Sequence, residues 1–327
     1  MKRETGSRKK REFRVQDSGF RIQDLEGGKW LAALVLAVAT GCAAPKVAQV
    51  ADADWVSHST TARGCYERGD FRRAADAYGR AEQRARALDD ADALAISAIN
   101  RAVCLHVEGE VEEALTGLDE ALADPRISAP RRMELTVMGA RAKLGLGDFE
   151  SAKADVEGVL KENPPVEWRA KALLILAGSE LGEDHVAGAT QALKQLPDKA
   201  WERLSPLLRA EYASWRAKIA AQDMRAVDAA GLWDESARFW KQAGRLTEMS
   251  MALSQAGWHA RKAGNLAEAC DRYYRSARSL WAQGDPTEAA RVLAAGVACA
   301  EELKDEAVAK RMAELFVTFK DGKRLSE

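Results

Sequence analysis

The chain has 327 residues, and its 49 lysines and arginines nearly balance its 50 aspartates and glutamates, which leaves a formal net charge of −1. This balance lacks the strongly basic character of a typical nucleic-acid-binding protein, and a charged fraction of 30 % excludes a protein with many membrane spans. Only eight prolines interrupt a composition rich in alanine, leucine, arginine and glutamate, which favours helices.

The first predicted element is an export signal. A basic flank precedes the apolar run Trp30–Ala39. A membrane-spanning helix needs about 20 apolar residues, so this run is too short to be one. Basic residues, a short apolar stretch and small residues in this order are typical of a cleaved signal peptide, which we assign to residues 1–41.

The end of this segment resembles a bacterial lipobox, because Gly41 directly precedes Cys42. The resemblance implies that Cys42 is acylated, becomes the first residue of the mature chain and anchors it to the membrane. Ala39 stands where the lipobox prefers leucine, and Ala39 with Gly41 also fits an ordinary signal peptidase site, which would release a soluble periplasmic protein. Ala43 replaces the aspartate that often marks retention at the inner membrane, so we expect the periplasmic face of the outer membrane. Residues 42–54 form the tether in this interpretation.

The segment before Lys29 is long for a signal peptide. It contains two near-duplicate stretches, Phe13–Asp17 and Phe20–Asp24. We interpret this segment as read through from an upstream start, with the true start nearer Leu25.

A pattern of glycine followed by a small residue five positions later recurs through the rest of the chain. Glycine ends a helix readily because it accepts a left-handed backbone, and an Asp or Asn beside it can cap the next helix. Each occurrence therefore predicts a turn between two helices. The glycines are Gly69, Gly109, Gly147, Gly182, Gly231 and Gly264, at intervals of 33 to 49 residues.

This pattern resembles the tetratricopeptide repeat (TPR) over residues 55–303. Small residues match the small position of the first helix in four units, and a proline matches the closing position of a unit: Ala62, Ala102, Ala140, Gly257 and Pro164. The resemblance implies an all-α, TPR-like solenoid of about six to seven helical hairpins, which bury their apolar faces only by stacking. We divide it into N-terminal units over residues 55–196 and C-terminal units with a cap over residues 197–320, followed by a polar tail over residues 321–327.

The C-terminal region is less regular. The longest interval between the glycines leaves room for an extra helix, which Ser205 would cap and Pro206 would start. In the unit that follows, Met224 stands where alanine or glycine is expected. Helices near 286–302 and 306–319 complete the predicted solenoid.

The sequence contains no motif for catalysis. The four histidines lie in different units and form no zinc-protease pair, and no glycine-rich phosphate loop follows a strand. We therefore predict a protein that is not an enzyme and has no catalytic, metal or cofactor site.

Two cysteines are candidates for a disulfide, because export implies an oxidising compartment. Cys270 lies 14 residues before Gly284 and Cys299 lies 15 residues after it, so an antiparallel hairpin would bring them together. Alternatively, both are small residues buried in helix packing. For Cys65 and Cys104, which occupy similar places in neighbouring first helices, we favour packing over pairing.

The TPR resemblance also implies a peptide groove. Trp258 falls at the ninth position of a first helix, which faces the concave side in this family, and Arg261 and Lys262 follow at the twelfth and thirteenth positions. Arg225 takes the ninth position of the unit that we place around Gly231. An aromatic ring with several hydrogen-bond donors could hold an extended acidic peptide segment. The simpler alternative is that these side chains are only solvated or packed in the core. The lysine–asparagine clamp with which some TPR proteins hold a C-terminal carboxylate is missing.

These features predict a protein-binding scaffold of the bacterial cell envelope, with protein partners, a lipid anchor and no nucleic acid. Exported TPR lipoproteins help to assemble β-barrels or pilus secretins, or regulate cell-wall enzymes, and the resemblance implies a role of that class. The alternatives are a docking regulator of a periplasmic enzyme and a soluble periplasmic ligand binder.

Overall fold

The computed structural model describes residues 52–320, and within this range the chain forms fifteen helices and no strand. The helices are α1 (Ala53–Glu67), α2 (Phe71–Ala87), α3 (Ala91–Glu108), α4 (Val111–Leu122), α5 (Ala129–Leu146), α6 (Phe149–Lys161), α7 (Val166–Gly182), α8 (Val186–Lys194), α9 (Asp198–Trp201), α10 (Pro206–Gln222), α11 (Ala226–Gln242), α12 (Leu246–Lys262), α13 (Leu266–Ala282), α14 (Pro286–Leu303) and α15 (Glu306–Lys320). The predicted signal peptide, Cys42 and the polar tail lie outside these residues. The described part contains no helix that is both long and apolar enough to span a membrane.

Fourteen of these helices pair into seven hairpins, and the single-turn helix α9 separates the fourth hairpin (α7–α8) from the fifth (α10–α11). Each second helix also packs against the first helix of the next hairpin, so the apolar core continues along the stack. A lone hairpin could not bury its apolar face, which is why the units stack. The predicted all-α solenoid of six to seven hairpins is confirmed.

The turns follow the chemistry expected from the repeat. Many contain a glycine with positive φ, a conformation that costs other residues more. An aspartate beside the turn then accepts a hydrogen bond from a backbone N–H in the first turn of the next helix, as Asp285 does from Glu288 at 3.0 Å. The glycines with positive φ are Gly69, Gly109, Gly147, Gly244, Gly264 and Gly284.

The fifth hairpin turns at Met224, so the predicted turn at Gly231 is wrong. Met224 has a φ of 60° and joins α10 to α11, whereas Gly231 lies inside α11. Positive φ recurs every twenty residues at positions 224, 244, 264, 284 and 304, because 17- or 18-residue helices alternate with short turns. Because the residue with positive φ at the first of these turns is a methionine, a search for glycines does not detect that turn.

The predicted helix at Ser205 is confirmed as α10. Pro206 is its first residue, and the Ser205 side chain accepts a hydrogen bond from the Leu208 N–H. Helix α10 pairs with α11 and is therefore the first helix of the fifth hairpin, not the predicted extra helix. The extra helix in this interval is the single-turn α9.

The junction between the fourth and fifth hairpins depends on Trp201. Helix α8 contacts α10 much less than other second helices contact the following first helix. Trp201 in α9 is 2 % exposed, stacks on Tyr212 of α10 with ring centres 4.2 Å apart, and donates a hydrogen bond from Nε1 to the Leu193 carbonyl oxygen. One side chain therefore joins α8, α9 and α10, close to the predicted boundary between residues 196 and 197.

Candidate functional site

The first helices of five hairpins line one groove with a volume of about 950 Å³. Its walls come from the C-terminal halves of α5, α7 and α10, the middle of α12 and the start of α14. Helices α10, α12 and α14 contact one another only slightly. Because these first helices are spread apart, Trp233 of α11 and Leu280 of α13 also line the groove.

Two aromatic rings lie against α7 where that helix has no side chains. A Cβ atom on Gly178 would lie 2.9 Å from both the Trp215 ring and Leu144, and a Cβ atom on Gly182 would overlap the ring of Phe149. These glycines lie one helical turn apart on the same face of α7. They allow Phe149 and Trp215 to lie close to the helix and to form part of the groove wall.

Lys218 is a cation of this groove without an anionic partner. Its Nζ lies 3.9 Å from the centre of the Trp215 ring, and no carboxylate among the described residues forms a salt bridge with it. The side chain is half-buried. Loss of hydration lowers the pKa of Lys218 to about 8, although the charge of Glu211 opposes this shift.

Trp258 and Lys262, both predicted for the groove, form a second tryptophan–lysine pair. Lys262 Nζ lies 3.8 Å from the centre of the Trp258 ring, which is 44 % exposed. Both residues share a face of α12 with Met251 and Gln255, which line the groove. Buried His259 packs edge-on against Trp258, and burial and the Lys262 charge lower its pKa.

Arg261 has a structural partner. Its guanidinium pairs with the Glu302 carboxylate of α14, with Nε and Oε2 2.8 Å apart. The hydrogen bond raises the pKa of Arg261 and lowers that of Glu302. The arginine therefore links α12 to α14 and contributes less to ligand binding than its register position suggests.

Arg225 does not occupy the predicted place in a first helix. It lies in the turn before α11 and forms ion pairs with Asp223 at 3.0 Å and Asp228 at 2.9 Å. The error follows from the turn at Met224. Lys218 lies six residues before Met224, as Trp258 lies six before Gly264. Lys218 is therefore the equivalent of Trp258, and the spacing Trp215–Lys218 was the signal that the sequence reasoning missed.

One cluster in the described range has ligand atoms close enough for a metal ion. Single ligand atoms of Glu180, Glu183 and His185 lie within 4.8 Å of one another in the turn between α7 and α8. The ammonium of Lys153 already pairs with the Glu180 carboxylate. This positive charge opposes a cation, so we assign no metal to the cluster.

The cysteines that the sequence places together are also close in the structure. Cys270 of α13 and Cys299 of α14 are buried free thiols on adjacent helices, and each affects the pKa of the other. The Cys299 thiol donates a hydrogen bond to the Leu266 carbonyl oxygen at 3.4 Å. Burial raises the pKa of Cys299 to about 12 and also raises that of Cys270. Cys65 and Cys104 are likewise buried free thiols. The mutual effect on pKa places the two thiols near each other, which makes the pair at positions 270 and 299 the candidate for oxidation.

We expect oxidised glutathione to convert this pair slowly into a disulfide, because little reactive thiolate forms at high pKa. The bridge should raise the free energy of unfolding by about 3 kcal/mol, since it closes a loop of moderate length. Thiol titration of the denatured protein, with peptide mapping, should show one bridge between Cys270 and Cys299. The variant Cys270→Ser should form none. A protein that retains all four described thiols, or joins Cys65 to Cys104, would contradict the expectation.

Comparisons with known proteins support the fold. No protein-family model matches the sequence, and a search of curated proteins finds no match. The crystal structure of a Signal Transduction ATPase with Numerous Domains (STAND) protein with a tetratricopeptide repeat sensor, from Pyrococcus horikoshii, matches with a TM-score of 0.59 and 14 % identity. This match covers 77 % of the present chain and 39 % of that protein, so the chain spans about two fifths of its length. The likeness establishes a TPR-like fold.

Two further structures match at lower scores. A tetratricopeptide repeat protein from Parabacteroides merdae has a TM-score of 0.44 and 15 % identity, over 81 % of this chain and 99 % of that one. The TPR2AB domain of yeast Sti1, in its complex with pHSP90, has a TM-score of 0.30 and 16 % identity, over 81 % and 98 %.

Proposed function

We propose that the chain is a non-catalytic protein-binding scaffold of the bacterial cell envelope, which holds a segment of a partner protein in the groove of the first helices. The observation that carries this proposal is the groove itself, with a volume of about 950 Å³ and walls from five successive hairpins. A site formed by several stacked units suits an elongated ligand better than a compact small molecule.

The lining has the composition of a peptide-binding surface. Aromatic rings of Phe149 and Trp215 provide apolar contact, Gln222 and Gln255 provide donors and acceptors, and Lys218 provides charge. Aromatic anchors surrounded by polar groups are typical of protein interfaces. The surrounding helices hold these side chains in place before the ligand arrives, which lowers the entropy cost of binding.

The proposed envelope location rests on the sequence alone. The signal peptide over residues 1–41 and the lipobox-like Gly41-Cys42 support export and acylation. One acyl chain binds membranes weakly, whereas several chains anchor a protein stably. The proposal therefore places the groove on the periplasmic face of the outer membrane, where it would hold an envelope protein.

A pair of matched substitutions tests the binding surface. Gln255 is exposed on the groove side of α12, and Arg275 is exposed on the second helix α13. We expect Gln255→Trp to block the groove and to lower recovery of the partner with the full chain from solubilised envelopes at least tenfold, about 1.4 kcal/mol. Arg275→Trp should leave recovery unchanged. Equal recovery with both variants would contradict the proposed surface.

The anchor has its own test. Metabolic labelling with radioactive palmitate should label the native chain, and Cys42→Ala should abolish the label and move the protein into the soluble periplasmic fraction. Labelling that survives the substitution, or a native chain found in the cytosol, would contradict the envelope assignment.

A further inference from the structure

A small cavity adjoins the floor of the groove beneath Trp215. It has a volume of about 30 Å³ and shares Leu144, Trp215 and Lys218 with the groove. Polar groups from three helices line it: Arg141 of α5, Glu211 and Lys218 of α10, and Trp240 of α11. We call these four residues the socket.

The socket contains buried polar atoms without partners. Arg141 Nη2 and Glu211 Oε2 lie 3.3 Å apart and form an ion pair. The side chain of Glu211 is 6 % exposed. Arg141 Nε, Glu211 Oε1 and Trp240 Nε1 have no hydrogen-bond partner in residues 52–320. Buried polar atoms are seldom left in this state, because each unmade hydrogen bond costs free energy.

The socket has more unpaired hydrogen-bond donors than acceptors, and more positive than negative charge. Arg141 and Lys218 carry two positive charges and Glu211 carries one negative charge, so one positive charge has no counterion. The indole N–H of Trp240 adds a third donor against the single unpaired oxygen of Glu211. A charge that is partly removed from water and has no counterion is costly. A ligand group with one negative charge and two acceptor oxygens would correct both imbalances.

We propose that the socket binds one carboxylate of the segment held in the groove, an inference that rests on the proposed function. The carboxylate would accept hydrogen bonds from Arg141 and Lys218 and lie near the Trp240 indole. The resulting cluster would contain two cations and two anions. The cavity exceeds the roughly 15 Å³ that one water molecule needs, and so has room for a small polar group.

The test compares acetate with acetamide, which has nearly the same shape but no charge. Indole N–H signals of the full mature chain are followed by nuclear magnetic resonance at constant ionic strength. We expect acetate to shift the Trp215 and Trp240 signals in a saturable manner, and acetamide to leave them in place. Equal shifts with both probes, or no shift with acetate, would overturn the proposal.

Two lysine variants make the test specific. Lys218→Met keeps the length and apolar character of the side chain, and should abolish the acetate response. Lys262→Met removes the amine that lies over the Trp258 ring on α12, outside the socket, and should preserve the response. If acetate shifts the indole signals of Lys218→Met as it does those of the native chain, the proposed carboxylate site is also overturned.

Further probes identify the source of the carboxylate. Propionate represents an aspartate or glutamate side chain, and N-acetylglycine represents a chain terminus. The probe that saturates the shift of the Trp215 and Trp240 signals at the lower concentration identifies the source. If neither probe shifts these signals, the proposal is contradicted.

The partner assay separates the two proposals. Lys218→Met should weaken partner binding about tenfold, the value of one lost hydrogen bond to a charged group. If Gln255→Trp blocks the partner and Lys218→Met does not, the socket inference fails and the scaffold function stands. If Gln255→Trp has no effect, the scaffold function fails whatever acetate does.

Discussion

Replacing Gly182 by alanine should lower the free energy of unfolding by about 3 kcal/mol, the upper end of the usual cost of overpacking. The added Cβ would overlap the Phe149 ring, which lies against α7 and lines the groove. The ring must move or α7 must shift, and either change deforms the groove wall. Urea unfolding followed by far-UV circular dichroism measures the effect.

Gly158→Ala is the matched control. Gly158 lies within α6, and a Cβ atom there would meet no heavy atom within 4 Å. Alanine favours a helix over glycine by about 0.5–1 kcal/mol, so this variant should be slightly more stable than the native chain. If the two alanine variants change stability in the same direction, the close packing of Phe149 on Gly182 is refuted.

Replacing Trp201 by alanine should destabilise the chain by about 3–5 kcal/mol, as for other buried tryptophans. The substitution removes the stacking on Tyr212 and the hydrogen bond to Leu193 that join α8, α9 and α10. Since α8 and α10 contact each other little, we expect the loss to open this junction first. Hydrogen exchange should increase most over residues 195–210.

Trp258→Ala provides the comparison for this variant. Trp258 is 44 % exposed whereas Trp201 is 2 % exposed, so its removal should cost less than about 1 kcal/mol. It should also leave exchange at the junction unchanged. Equal losses of stability in both variants would mean that Trp201 does not join the two halves of the stack.

The sequence predicted the architecture well because the turns follow local chemistry. Glycine with positive φ and an aspartate that caps the next helix occur at Gly69, Gly147 and Gly284. Such signals lie within a few residues of each other and need no knowledge of distant contacts. The start of α10 at Pro206 was predictable for the same reason.

The fifth hairpin was misread because its turn uses an exception to that chemistry. Met224 adopts the left-handed conformation without being glycine, and Gly231 drew the predicted turn seven residues too far along the chain. This error placed Arg225 in the groove and missed Lys218. The spacing of twenty residues between turns is regular from Met224 onward, and it locates the turns of this region better than the glycines do.

The site was only partly predictable because it depends on contacts between hairpins. Trp258 and Lys262, which the register assigns to the groove, lie on one face of α12 and contact each other. It could not show that Arg261 pairs with Glu302, 41 residues away, or that Arg141 pairs with Glu211, 70 residues away. Such pairs depend on how consecutive hairpins are rotated against one another, which local sequence does not encode.

Site-specific photocrosslinking in living cells tests the central claim most directly. p-Benzoylphenylalanine is placed at Gln255 in the groove, or at Arg275 on a second helix outside it. The account predicts one discrete crosslinked protein from position 255 after irradiation and none from position 275. Crosslinks from position 275 alone, or no protein adduct from position 255, would contradict a groove that holds a partner segment.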